Sequence, residues 1–538
     1  MLAEARYYAG MTFGIYRLLR APVHDRPEAV LRRQLERRGE TFLETIERAI
    51  FSRRHHPYAR MFHLAGCTAG DLAHAVRRDG LEAALAKIHS AGVYLSHDEF
   101  KGKTPVLRSG QHIPSSPASF LNPLISGWIE TRSSGSRSRG TRTPQSTACR
   151  QYREIYQMLI DRELCLDGRV RVELKPILPA GSGLFPCLRG ARLGRPVERW
   201  FAVGGGLQDS GHYRLVTRCM VSFANLLGAR APQPAYLPEN DFSPVAAHIA
   251  RRRSEGARCV LSGFVSPVTR VAAAALEKGL DISGTVAQVG GEALTDHKRA
   301  VVEQAGADVY PNYWINEVGP IGHACRRMRT GNSVHVFSDS VAVIGHRRAA
   351  PLSDVPVDSL LFTTLLPYSP WLFINAEMDD SGILEPARCD CLFSRLGLTS
   401  SIHNIFSFGK LTGQGMTLIG TDLVRIIEET LPARFGGRPG DYQLIEQESA
   451  SQTQLILVVS PRVGLVATEG VQECFLTEVR RYYGGALAAR TWRHAQAIQV
   501  RIQEPFSTST GKVLPLHLLG EAKQPPHHAT QKSPGHPA

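Results

Sequence analysis

The sequence predicts an α/β fold, with a large N-terminal α/β domain built on mixed sheets and a small C-terminal α+β domain. Three observations carry that expectation. Between about 165 and 345, short β-rich runs at 170–174, 200–203, 259–263, 285–290 and 308–313 alternate with helix-like segments, the pattern of a largely parallel sheet with crossover helices. After about 410 the pattern changes to two strands at 442–447 and 454–460 around turn residues 449–451, then a helix near 469–483 and a strand near 497–503. Of the 538 residues, 43% are hydrophobic, enough for ordinary buried cores and too many for a disordered chain.

Residues 1–100 read as a helical segment of the large domain, with Leu31, Leu35, Phe42 and Ile46 marking the apolar side of a helix over 27–51. Residues 101–409 form the body of the large domain. Within it, 101–150 is rich in Gly, Ser, Thr and Arg, and Ser243 is expected to cap a helix whose first residue is Pro244. A second helix at 270–278 stops at Gly279, and 335–366 holds two more strand-like runs. Residues 410–520 make the small, mobile domain. The tail 521–538, with its Pro, His, Gln and Lys, has nothing to bury and is expected to be disordered.

Lys and Arg total 63 against 49 Asp and Glu, a formal net charge of +14. Such an excess suits nucleic acid or a polyanionic small molecule such as a nucleotide. The runs Arg32-Arg33, Arg37-Arg38, Arg53-Arg54 and Arg251-Arg252-Arg253 read either as solvated helix faces or as polyanion contacts. No RNP, helix-turn-helix or zinc-finger spacing accompanies them, so no nucleic-acid partner is expected. The longest apolar runs, such as 455–459, fall far short of the roughly 18 residues a membrane span needs, and the N-terminus lacks a signal-peptide pattern. No membrane association is expected. Ten cysteines in a chain of this length do not make a disulfide framework, which favours a reducing, cytoplasmic location.

Three groups of residues carry chemistry. In the segment 131–144, Ser133, Ser134, Gly135, Ser136, Arg137, Gly140 and Thr141 offer closely spaced N–H groups and hydroxyls that can cradle phosphate oxygens, and Arg139 and Arg142 add charge. Composition alone reads the same segment as a flexible linker. It is not a Walker A loop, because no Gly-Lys-Ser/Thr follows the glycines. Near the end of the folded chain, Lys512 follows Gly511 on a Ser/Thr-rich loop. There it either delivers a compact charge to a developing oxyanion or is an ordinary surface lysine. Cys325, His335, Cys389 and Cys391 form a Cys3His set suited to structural zinc, with His323 as a competing ligand; the alternative is a group of buried thiols. Gly204-Gly205-Gly206 has no Gly-x-Ser-x-Gly elbow to serve, and no Gly-x-Gly-x-x-Gly follows a strand, so esterase and dinucleotide-binding readings fail.

Taken in order, these segments resemble the adenylate-forming superfamily, and most of all its phenylacetate–CoA ligase branch. The loop 133–143 is similar to that branch's Ser-Ser-Gly-Thr-Thr-Gly-x-Pro-Thr, which contacts the ATP phosphates. Gly290-Gly291-Glu292 followed by Ala293-Leu294 resembles Gly-Gly-Glu-Pro-Leu beside the adenine. Tyr313 and Glu317, in Tyr-Trp-Ile-Asn-Glu, resemble the aromatic residue that packs on adenine and the glutamate that helps hold Mg2+. Asp380 stands where the family binds the ribose hydroxyls, and Lys410, in Phe408-Gly409-Lys410, looks like the start of the hinge before the small domain. Lys512 then matches the catalytic lysine. The resemblance covers about 95–515 and also implies zinc at Cys325, His335, Cys389 and Cys391. Departures are the extra residues and arginines of the phosphate loop, Trp314 for glycine, Asn316 for Ser/Thr, Lys410 for arginine, and Thr412 or Gly413 for the hinge aspartate.

The activity this implies is ATP-dependent conversion of an aromatic or other small carboxylic acid to an acyl-adenylate, followed by transfer to the thiol of coenzyme A. Mg2+ and the lysine answer the developing charge. Two alternatives stay open: an adenylating enzyme whose acceptor is an amine or a carrier protein, and a non-catalytic family member. A homodimer is compatible with the resemblance.

Overall fold

The computed structural model describes residues 2–125, 129–132, 142–203, 211–238, 241–329, 331–349, 356–407, 412–413, 416–417, 420–449, 452–481, 498–508 and 511–519. The loop residues Ser133, Ser134, Gly135, Ser136, Arg137, Gly140 and Thr141, the hinge residue Lys410 and the tail 521–538 lie outside the described residues.

Every residue of the strand Val286–Gly290 is buried, as a parallel strand covered on both faces requires. It belongs to a twelve-stranded sheet. Six strands run parallel, in the spatial order Asp308–Ile315, Val286–Gly290, Cys259–Phe264, Val170–Leu174, Val197–Ala202 and Pro234–Tyr236. From Asp308–Ile315 the sheet continues antiparallel through Gly319–His323, Val334–Val336, Ser400–Ser407, Ala376–Pro386, Pro356–Thr364 and Val341–Ala349. The large domain is therefore an α/β unit on a mixed sheet. One face of the parallel half packs Leu261, Ala287, Val289 and Val309 against Val245, Ile249, Val268 and Val301 of three helices. The other face packs Val260, Val286 and Tyr310 against Ile155 and Leu159 of the helix Thr147–Glu163. The N-terminal helices cover the antiparallel half, where Phe42, Tyr58, Phe62 and Leu85 meet Phe362, Trp371, Phe373 and Ile402.

The C-terminal unit has its own four-stranded sheet, ordered Ile498–Ile502, Gln452–Val459, Tyr442–Ser449 and Leu516–Leu519. Alternate residues Leu455, Leu457 and Val459 pack with Val471, Phe475 and Val479 of the helix Thr468–Arg480 into a separate core. This is the small α+β unit.

Several local expectations are corrected. Ser243 is the first residue of the helix Ser243–Ser254 and does not cap it. Asp241 Oδ1 accepts a hydrogen bond from the Ser243 N–H at 2.9 Å, an Asx turn that does the work expected of the serine. The helix expected at 270–278 begins at Val265, and it ends as expected at Gly279, which is left-handed with φ 60°. The strands Gly319–His323, Ala376–Pro386 and Ser400–Ser407 carry Gly, Asp, Ser or His in their interiors, which hid them from a reading based on apolar runs. The arginine runs lie mostly exposed, and some of their members pair with neighbouring carboxylates, as in Arg38–Glu82 at 2.5 Å and Arg253–Asp281 at 2.6 Å. No helix among the described residues is long and apolar enough to cross a membrane.

Candidate active site

The site is built at the carboxyl ends of the parallel strands. Cross-strand register places Phe264 beside Gly290, and Gly290 beside Asn312. Gly290 has no room for a side chain, because a Cβ there would lie 2.3 Å from the Asn312 amide oxygen. Gly291 adopts φ +76°, turning the chain away from the strand and presenting its carbonyl. Lys512 Nζ donates to that carbonyl oxygen at 2.8 Å and stands 4.5 Å from the centroid of the Phe264 ring. The lysine arrives from the C-terminal unit, 221 positions along the chain from its acceptor.

Hydrogen bonds join the described residues on either side of 509–510, next to Lys512. The Thr508 N–H donates to the Lys512 carbonyl at 2.8 Å, and the Lys512 N–H donates to Thr508 Oγ1 at 3.0 Å. Gln443, fully buried on the strand Tyr442–Ser449, ties both ends of the loop. Its Nε2 donates to the carbonyls of Phe506 (3.1 Å) and Leu514 (2.8 Å), and its Oε1 accepts from the Phe506 N–H (2.8 Å). Gly511 abuts Val203, where a Cβ would approach Val203 Cβ to 3.1 Å. Nothing in the sequence near Gln443 marks this role.

Glu292 turns away from solvent onto Ser266, accepting from its hydroxyl and, at 3.4 Å, from its N–H. Burial raises the Glu292 carboxyl above the usual range, and Lys298 and Lys512 oppose that shift. Lys298 in turn pairs with Glu428 of the C-terminal unit at 2.6 Å, both side chains buried. Glu428 also accepts from Thr295 Oγ1 at 2.9 Å. The two units thus meet through Lys512, Glu292 and Glu428.

On the next strand, Tyr313 is buried and its hydroxyl donates to Asp380 Oδ2 at 2.6 Å. Burial, and secondarily the Asp380 charge, hold the phenol protonated far above its ordinary range. Asp380 pairs across the sheet with Ser407, the last described residue before 408–411. Asp379 takes φ +60° and lies 2.9 Å from His97 Nδ1, so the two adjacent aspartates have different partners.

Glu317, expected near Mg2+, forms an ion pair with Lys101 at 2.9 Å. Two residues that depart from the family pattern have structural work. Asn316 Nδ2 donates to Thr143 Oγ1 at 2.9 Å, and Trp371 Nε1 donates to the same oxygen at 3.2 Å. Trp314 lies under the Arg153 guanidinium at 4.2 Å, and Arg153 donates to Gln145 Oε1 at 2.8 Å. Thr143 and Gln145 belong to Arg142–Gln145, which pairs antiparallel with Ile129–Arg132. The base of the hairpin that carries 133–141 is therefore anchored to the segment Tyr313 to Glu317.

Away from this cleft, Cys325 Sγ, His335 Nε2, Cys389 Sγ and Cys391 Sγ lie within 4.8 Å of one another. Cys325 and Cys389 are 3.9 Å apart and Cys389 and Cys391 3.4 Å, with His335 Nε2 at 3.2 and 3.3 Å from the latter two. Zn–S bonds of about 2.3 Å and Zn–N bonds of about 2.0 Å give tetrahedral edges of about 3.8 and 3.5 Å, so the quartet fits zinc. His335 Nδ1 is 3.0 Å from the Leu398 carbonyl oxygen, which leaves Nε2 as the ligand nitrogen. The competing candidate His323 bonds to the Ala324 carbonyl oxygen at 2.7 Å and lies outside the quartet. Buried Glu163 clamps both ligand loops, accepting from the N–H of Arg326 (3.1 Å) and of Leu392 (2.8 Å). Sequence reading missed Glu163. All ten cysteines are free thiols.

No family model and no curated protein matches this chain. Solved structures do. A 2-hydroxyisobutyryl-CoA ligase in its postadenylation state, in complex with R3-HIB-AMP, superposes with a TM-score of 0.53 and 14% identity over 91% of this chain and 89% of that one. Also similar, at 12% identity, are the anthranilate CoA ligase AuaEII with anthranoyl-AMP (85% and 79% covered, TM-score 0.41) and ATP-bound MatB from Rhodopseudomonas palustris (86% and 90%, 0.39). At 14% identity the first likeness is one of fold: this chain has the two-unit architecture of that acyl-CoA ligase.

Proposed function

We propose that this protein is an adenylate-forming acid–thiol ligase resembling the phenylacetate–CoA ligase branch, which activates a carboxylic acid with ATP and passes the acyl group to coenzyme A. The observation that carries this reading is Lys512 of the C-terminal unit on the Gly291 carbonyl, at the carboxyl ends of the parallel strands, where open α/β sheets bind ligands. The fold neighbour with an adenylate bound supports the same chemistry.

A carboxylate is a poor electrophile, since its charge repels nucleophiles and oxide is not a viable leaving group. Attack of a carboxylate oxygen on the α-phosphorus of ATP forms an acyl-adenylate and expels pyrophosphate. Lys512 supplies fixed positive charge to the oxygens that gain charge in that step. Tyr313 lines the adenine side, Asp380 accepts from ribose hydroxyls, and Gly290, Gly291 and Glu292 form the turn on which the nucleotide rests. Residues 133–141, with Arg137 and its neighbours, are assigned to the phosphates. Glu317, now paired with Lys101, is the carboxylate that would hold the Mg2+ of the triphosphate, which would supply positive charge to the phosphate oxygens. In the second half-reaction the thiolate of coenzyme A attacks the acyl carbon and AMP leaves. Withdrawal of Lys512 by rotation about the segment containing Lys410 would open the path for the thiol. Zinc at Cys325, His335, Cys389 and Cys391 would be structural, closing two loops far from the reacting atoms.

ATP–pyrophosphate exchange over a panel of carboxylic acids tests the reading. Exchange that depends on one acid supports it, and absence of exchange with every acid overturns it in favour of a non-catalytic role. Adding coenzyme A and weighing the product separates thioester formation from transfer to an amine or carrier protein.

A further inference from the structure

Lys175 directly follows the strand Val170–Leu174, and Phe264 ends the neighbouring strand Cys259–Phe264. These strands are paired in parallel, Leu174 opposite Gly263. From the first the chain proceeds to Val197–Ala202 on one side, and from the second to Val286–Gly290 on the other. Opposite departures from adjacent strands define a topological switch point, where a crevice opens outside the strand ends. Lys175 Nζ stands 4.1 Å from the Phe264 ring centroid, and Lys512 Nζ stands 4.5 Å from the same centroid. Two ammonium groups thus share one ring and lie within about 9 Å of each other, both held by its quadrupole.

The surroundings do not neutralise Lys175. Burial pulls its ammonium down to about 8, against the opposing influence of Glu173 and Glu292. Glu173 is itself buried and pushed up to about 7, and its Oε2 has no hydrogen-bond partner. Glu292 is engaged by Ser266 and responds to Lys298 and Lys512. A partly desolvated cation supported chiefly by an aromatic face gains most from an anion that enters with a ligand.

We infer that Lys175 is a specificity-determining residue that binds a second anionic group on the acid, so that the substrates are short dicarboxylic acids. The inference rests on the adenylation reading above. Lys512 meets the carboxylate that attacks ATP, Lys175 meets the distal carboxylate, and Phe264 separates the two charges with an apolar wall. Monocarboxylic acids of equal length leave Lys175 desolvated and unpaired, and bind more weakly.

The test measures ATP–pyrophosphate exchange for matched series of mono- and dicarboxylic acids of equal chain length, with wild type, Lys175→Met and Lys175→Arg. Wild type is expected to favour the dicarboxylic series. In Lys175→Met, KM for the diacids should rise about ten- to a hundredfold, the worth of one charged hydrogen bond. KM for ATP is retained and KM for the monoacids does not rise, because no charge is left desolvated, so the preference for diacids is lost. Lys175→Arg should recover part of the loss. Equal loss on both series, a change in KM for ATP alone, or a wild-type preference for monoacids overturns the inference and leaves the adenylation reading standing. No exchange with any acid overturns both. If Lys175→Met does not fold, the wild-type preference and the Lys175→Arg constants decide.

Discussion

The Tyr313 hydroxyl donates to Asp380 Oδ2 across 2.6 Å, joining the strand Asp308–Ile315 to Ala376–Pro386 although three strands lie between them in the sheet. The phenol thus orients the Asp380 carboxylate, which we assign to the ribose hydroxyls. Asp380→Ala is expected to raise KM for ATP about ten- to a hundredfold, as loss of charged hydrogen bonds to ribose requires, with a smaller change in KM for the acid. Tyr313→Phe keeps the ring and should change KM for ATP only a few fold. Exchange kinetics with ATP varied at saturating acid read both effects, and equal changes in both substrates would remove Asp380 from the nucleotide site.

Lys512 and Gln443 separate chemistry from positioning. Lys512→Ala removes the charge that we assign to the reacting carboxylate and should slow adenylate formation by about 10²-fold or more. Gln443→Leu leaves the lysine in place and unties both ends of its loop. It should lower the exchange rate less than Lys512→Ala and make residues 506–514 exchange amide hydrogens faster. Unchanged exchange kinetics in Lys512→Ala would refute its assignment, and unchanged protection of the loop would refute that of Gln443.

Lys512, Tyr313 and Glu317 were singled out through the order of segments that resembles a known family, since local spacing alone left Lys512 as either a charge stabiliser or a surface lysine; the Cys-x-Cys at 389 and 391 was visible in residue type. The α/β alternation was legible because buried parallel strands such as Val286–Gly290 are continuous apolar runs. The antiparallel strands Ala376–Pro386 and Ser400–Ser407 were not, because functional or turn-forming residues interrupt them. Gln443, Glu163, Lys101 and Lys175 were invisible for a different reason. Each acts on a partner distant in sequence, as Glu163 does on Arg326 and Leu392. No local pattern distinguishes a glutamine or lysine held in that way from one on the surface.

The Cys3His quartet predicts one zinc per chain by elemental analysis. Cys389→Ser should abolish stoichiometric zinc and lower the melting temperature, and a chelator should do the same to the wild type, because metal affinity for a closed site is folding free energy. Glu163→Ala keeps all four donors but frees the loops that hold them, and should weaken zinc binding about 10- to 100-fold. Purified protein with no zinc and a chelator-insensitive melt would return the quartet to ordinary buried thiols.

The contact between the two units centres on Lys298 and Glu428, buried to 3% and 2% side-chain exposure. Removing one partner of a buried pair strands the other charge, at a cost of about 3–5 kcal/mol. For Glu428→Gln the cost should be at the low end, since Glu292 still acts on Lys298 and the amide can still accept from Thr295. The expected outcome is a calorimetric trace in which melting of the C-terminal unit separates from that of the large domain. A single transition at the wild-type temperature would show that the pair does not couple the units.

Asp339 supplies a pH dependence of known sign. It is fully buried, accepting from the hydroxyls of Tyr152 (2.5 Å) and Tyr156 (2.7 Å), while its Oδ1 has no hydrogen-bond partner. Burial raises its carboxyl from 3.8 to about 6, and the two phenols and the Arg38 charge only partly oppose that rise. Between about pH 4 and pH 6 the folded chain therefore holds a proton that the unfolded chain has lost, so stability falls as pH rises through this window and the penalty is constant above it. A shift of this size corresponds to about 3 kcal/mol. Asp339→Asn keeps an acceptor for the tyrosines and cannot ionise. Urea unfolding of both proteins at pH 4.5, 5.5 and 7 should show the variant gaining on the wild type as pH rises. A difference between them that does not change with pH would mean that Asp339 titrates at its ordinary value despite its burial.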